Sequence, residues 1–192
     1  MSFFKKLFSS KKEKDDNQQN GQQADFKGIY TNDYFDKRYT EDEIKPELME
    51  GCIKMVESYF LEYKFEKKIN SPVNHPANLD QLMDEGIGFK LYCKAFNMEE
   101  NQAAMFLAFA FSDFLIKQFG FKLYTDNQPE FPLRKMVLKY NRDGVVLSLY
   151  PFEYSLKALD HQATFEGLYD KIKTNLKTLP NVDDVLKDMG RG

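Results

Sequence analysis

Residues 103–125 read Ala103-Ala104-Met105-Phe106-Leu107-Ala108-Phe109-Ala110-Phe111-Ser112-Asp113-Phe114-Leu115-Ile116-Lys117-Gln118-Phe119-Gly120-Phe121-Lys122-Leu123-Tyr124-Thr125, and the change of period at Gly120 decides the fold class. Before it, apolar side chains from Ala103 to Phe111 encircle a helix, which must then be covered by neighbours on most sides. Gly120 stands where helices commonly end in the left-handed conformation. After it come three short runs rich in β-branched and aromatic residues, at 121–125, 134–140 and 145–150, with Asn141-Arg142-Asp143-Gly144 as a hairpin turn between the last two. The expectation is an α+β fold in which N-terminal helices pack on a small three-stranded antiparallel meander, with closing C-terminal helices.

Working outward toward the N-terminus, Asn97-Met98-Glu99-Glu100 caps this central helix. Asn78-Leu79-Asp80-Gln81 caps a preceding helix that runs to about Phe96, and residues 67–78, with two prolines, form a loop. Thr40-Glu41-Asp42-Glu43 is a capping box, so a long helix to about Glu66 should follow, with Ile44, Leu48, Cys52, Met55, Val56, Tyr59 and Tyr63 on one stripe and Pro46 kinking or delaying its first turn. Phe26, Tyr30, Tyr34, Phe35 and Tyr39 mark an extended or irregular arm that lies on the domain by its rings. Toward the C-terminus, Phe165, Leu168, Tyr169, Ile172, Leu176 and Leu179 form a helical stripe ended by Pro180, and Asn181 caps a short last helix to Met189. Either the arm or these last helices must cover the second face of the sheet.

The chain has 192 residues, enough for one α+β domain over residues 25–192 with an appendage before it. Residues 9–24 hold a single alanine as their only apolar side chain and read as a disordered linker. That isolates residues 1–8, an amphipathic basic segment in which Phe3, Phe4, Leu7 and Phe8 gather on one side of a helix with Lys5 and Lys6 beside them, Lys11 and Lys12 following. These eight residues are the candidates for contact with an anionic membrane surface through residues 1–14. The formal net charge of −3 hides an asymmetry: Lys5, Lys6, Lys11, Lys12 and Lys14 oppose only Glu13, a balance of +4 that leaves −7 for the remainder. An acidic body argues against nucleic acid and suits a basic protein partner.

No segment reaches a membrane-spanning length and no secretory signal pattern is present, so the expectation is a cytoplasmic protein, peripheral at most on the inner face of the membrane. Cys52 and Cys93 lie in apolar, helix-like surroundings and read as core thiols in a reducing compartment. Gly86-Ile87-Gly88 lacks the strand and third glycine of a dinucleotide loop and reads as close packing or a helix break. Cys52, His75, Cys93 and His161 match no metal-ligand spacing. Glu41, Asp42, Glu43, Glu99, Glu100, Asp183 and Asp184 fall in first helical turns, where the macrodipole accounts for them. No cofactor site is legible. Asp113, with Lys117 four residues later, marks either the wet edge of the central helix or the polar floor of a cleft.

Residues 114–159 resemble a class of small bacterial α+β domains of unknown function. The resemblance is carried by Phe119-Gly120-Phe121-Lys122-Leu123, by Pro132-Leu133-Arg134, and by Val146 to Pro151-Phe152, in a stretch that lacks the tryptophan expected after the first strand begins. It implies a fold and no functional residue. Two functions remain. One is a non-catalytic intracellular interaction module, an adaptor or immunity-type protein, attached weakly to the membrane by its N-terminus. The alternative is a small enzyme whose site is assembled from scattered residues around Asp113, His75 or His161, or from Cys93 with either histidine.

Overall fold

The computed structural model describes residues 26–29, 32–65, 68–183 and 187. The amphipathic segment of residues 1–8, the linker of residues 9–24 and most of the short last helix expected to Met189 lie outside the described residues. Within them the order is β1 (Phe26–Ile29), α1 (Asn32–Arg38), β2 (Tyr39–Glu41), α2 (Pro46–Glu62), α3 (Pro76–Asp84), α4 (Phe89–Ala95), α5 (Glu100–Phe119), β3 (Lys122–Asp126), a 3-10 turn (Pro132–Arg134), β4 (Met136–Arg142), β5 (Val145–Leu149), α6 (Pro151–Leu159) and α7 (Phe165–Thr178). The fold is α+β. No helix among the described residues is long and apolar enough to cross a membrane.

Helix α5 is the central one. Eleven of its side chains are buried, from Ala103 to Leu115, and α2, α4, α6 and β3 pack round it. Gly120 ends it at φ 77°, ψ 28°, the left-handed cap expected of glycine. The helix starts on Glu99 rather than Asn97: the Glu99 N–H donates to Gln102 Oε1 at 2.8 Å, while Asn97 takes φ 57° at the end of α4.

The meander β3–β4–β5 follows as expected, with Leu123 opposite Leu138 and Leu138 opposite Leu149. The sheet is wider than the meander. The order is β1-β5-β4-β3-β2, antiparallel throughout, so strands from the N-terminal arm extend both edges. The arm is therefore strand, helix and strand, not an extended strap. Its helix α1 covers the face of the sheet turned away from α5, where Phe35 packs on Tyr124 at 5.3 Å between ring centroids.

The capping box at Thr40 does not start a helix. Thr40 pairs with Thr125, and its hydroxyl accepts from Asn127 Nδ2 at 3.0 Å. A cap is worth about 1 kcal/mol, and the edge of β3 offers this segment ladder hydrogen bonds instead, continued by Asp42 N–H donating to the Leu123 carbonyl at 3.0 Å. Helix α2 begins at Pro46, where a missing N–H costs nothing. It stops at Glu62, short of Glu66, because Tyr63 leaves the helix and Lys64 takes φ 59°.

The single helix expected from Asn78 to Phe96 is two. Gly86 at φ 68° and Gly88 at φ 78° separate α3 from α4, and a Cβ added at Gly86 would lie 2.7 Å from the Tyr59 hydroxyl. That hydroxyl donates to the Glu85 carbonyl and accepts from Gly88 N–H, so the break is clamped from α2. His75 caps α3, its Nδ1 accepting from Ala77 N–H at 3.2 Å. Asn78 instead ties the preceding loop, donating to the carbonyls of Asn70 and Val73 and accepting from Asn70 N–H. Helix α6 starts at Pro151 and ends at Leu159, ahead of the helical stripe that begins at Phe165.

Candidate functional site

An open groove of about 730 Å³ lies between α2, the end of α5 and the β2–β3 edge. Its walls follow from three choices of chain. Delaying α2 to Pro46 leaves residues 41–45 as a lip. The stripe of α2 places Met49 and Ile53 toward α5, which supplies Ile116, and the strand entry after Gly120 adds Phe121 and Leu123. The floor is accordingly apolar.

The rim is charged. Glu41, Asp42, Glu43, Glu50, Glu57 and Asp113 stand there with Lys54, Lys117 and Lys122. Each lysine is already engaged: Lys54 with Glu50 at 2.5 Å, Lys117 with Asp113 at 2.9 Å, Lys122 with Glu41 at 2.9 Å. The ammonium groups of Lys54 and Lys122 are raised by hydrogen bonds to those carboxylates. Asp42, Glu43 and Glu57 have no ion-pair partner among the described residues. Asp42 accepts from Thr125 Oγ1 and from Glu43 N–H, which hold its carboxylate in place. Three negative charges therefore surround an apolar floor.

Asp113 and Lys117 stand at one end of this groove, on its rim and not on its apolar floor. They lie at the wet end of α5, Lys117 with its side chain 73% exposed and Asp113 15%, and they form one end of the groove. Asn74, buried in the loop before α3, donates to Asp113 Oδ2 at 3.1 Å and to the Ala110 carbonyl at 2.9 Å, fixing the carboxylate.

His75 packs edge-on against Phe114 and Tyr169, and His161 lies 3.7 Å from Asp84 at the far end of α6. No hydrogen bond joins any two of Asp113, His75 and His161 among the described residues. Burial pushes both Cys52 and Cys93 up to about 12, the reverse of an activated nucleophile. Among the described residues no three metal-ligating side chains gather.

A second polar cluster, unremarked in the sequence, lies under α1 on the opposite face of the sheet. Lys139 is 3% exposed, its Nζ 2.9 Å from Ser148 Oγ and 3.7 Å above the centroid of Tyr39. Beside it Arg38 clasps the buried Asp126 through Nε and Nη2. The only sequence signal was a lysine between Leu138 and Tyr140 in a strand. Ser148 is buried as deeply, and the cluster fastens α1 to the sheet.

Burial lowers the Lys139 ammonium from 10.5 to about 8. Between those values the unfolded chain holds a proton the folded protein has released, so this group adds stability as pH rises through the window and loses it as pH falls through about 8. Relative to Lys139→Met, the wild-type protein should gain on the order of 2 kcal/mol between about pH 8 and about pH 10. Urea unfolding of both proteins at the two pH values measures it. The raised Tyr59, Tyr92 and Tyr124 hydroxyls and the two thiols act oppositely but equally in both, so they cancel in the difference. Identical pH slopes would mean the ammonium is hydrated.

No protein-family model matches the chain, and neither a curated protein nor a solved structure matches it.

Proposed function

We propose that the protein is a non-catalytic interaction module whose groove between α2, α5 and the β2–β3 edge receives a basic, apolar-faced segment of a protein partner. The observation that carries this is the pairing of an apolar floor with three carboxylates that lack ion-pair partners among the described residues. An amphipathic helix laid in such a groove buries its apolar face, and lysines or arginines beside that face find the rim. The charges raise the rate of encounter and make it fall with salt. Residues 1–14 extend the reading, since when exposed they would give the module a weak, salt-sensitive hold on an anionic leaflet.

The test uses a tagged, helical leucine-lysine peptide titrated into the full chain at low salt. Glu43→Lys with Glu57→Lys should weaken binding by at least about tenfold with an unchanged melting temperature, and raising the salt should weaken the wild-type complex. Equal affinity for the two proteins would remove the groove from consideration.

A further inference from the structure

The groove has a candidate occupant in this same chain. We infer that residues 1–14 dock into it in the resting protein, with Phe3, Phe4, Leu7 and Phe8 on the apolar floor and the neighbouring lysines beside Asp42, Glu43 and Glu57, so that a partner must displace the segment to bind. The inference rests on the reading of the groove as a binding face.

Charge and shape agree. The segment carries +4 and the unpaired rim −3, and four apolar side chains spaced three to four apart present the face the floor requires. A helix over residues 3–8 is only about 9 Å long and marginal in water, so a groove that covers its apolar side supplies what the isolated segment lacks.

Reach agrees as well. The described chain enters the sheet at Phe26, which opposes Ser148; Ser148 opposes Lys139, and Lys139 opposes Lys122 on the lip of the groove. The entry point is therefore level with the groove and three strand spacings away, roughly 14 Å. Residues 15–25 between segment and strand can span about 36–40 Å when extended, and a flexible chain of that length averages about 17–20 Å. A tether of that length holds the segment at an effective concentration on the order of 1 mM, enough to occupy a site of about 0.1 mM affinity nine times in ten.

The test compares two full-length chains, the wild type and one with Phe3→Ser, Phe4→Ser, Leu7→Ser and Phe8→Ser together. Each is titrated with a fluorescent peptide of residues 1–14. The substituted chain, its groove vacated, should bind the peptide about tenfold more tightly than the wild type, and Glu43→Lys with Glu57→Lys placed in it should abolish the gain. Equally tight binding to both chains overturns the docked tail and leaves the groove reading standing. Binding to neither overturns both. A wild-type chain that sediments as a dimer while the substituted chain is a monomer assigns the segment to a second copy. Complete pelleting of the wild type with phosphatidylserine vesicles at the same salt assigns it to lipid, and either result overturns docking within the chain.

Discussion

Replacing Phe111 by alanine should lower the unfolding free energy by about 3–5 kcal/mol, and Phe109→Ala should cost as much. The two rings stand on different sides of α5. Phe111 meets Phe165 of α7 at 5.1 Å between centroids, whereas Phe109 lines a small cavity with Met105, Leu123 and Met136 on the sheet side. Each is almost fully buried, so truncation removes an aromatic side chain and leaves a cavity that the flanking helices and strands cannot close. Urea denaturation at neutral pH measures both losses. A cost below about 1 kcal/mol at either position would put that side of α5 in solvent and contradict the layering.

Arg38→Met should cost about 3 kcal/mol, although Arg38 belongs to a short helix that touches little of the main core. The reason is its partner. Asp126 is 1% exposed and accepts three of its hydrogen bonds from the Arg38 guanidinium, which is raised by the same contact. Removing the arginine leaves a buried carboxylate with, among the described residues, only Gln128 N–H as a hydrogen-bond donor at 2.9 Å. Breaking one side of such a pair is far more costly than replacing both. The pair Arg38→Met with Asp126→Asn should therefore recover most of the loss. A double variant no more stable than the single one would show that the effect comes from the packing of α1 and not from the stranded charge.

The groove depends on the same elements as these predictions. Helix α5 carries Ile116, Asp113 and Lys117 to its far end only because Phe109 and Phe111 seat the helix between sheet and bundle. The lip of residues 41–45 exists because β2 joins β3, and α1 with its Arg38–Asp126 clasp holds the chain that leads into β2.

The sequence by itself determined what local chemistry can determine. The switch of period at Gly120 is a backbone event within a few residues: an encircling apolar helix cannot continue through a left-handed glycine, and the β-branched runs behind it pair across a four-residue turn. The same locality made the stripe of α7 and the apolar setting of both cysteines legible. Asp113 and Lys117 were visible as the first charges after a long apolar run.

Tertiary structure alone decided the rest, because the competing local options differ by about 1 kcal/mol and distant partners are worth more. Thr40 offers a good cap, yet the open edge of β3, more than eighty residues away, pairs with it instead. Gly86 and Gly88 would weaken any helix, but the Tyr59 hydroxyl in α2 is what turns weakness into a break. Lys139 and Asp126 became buried only when α1 folded over them, and the acidic rim became a rim only when Glu57 of α2 and Glu43 of the lip came round one apolar floor. Contacts of that separation leave no periodic trace in a chain.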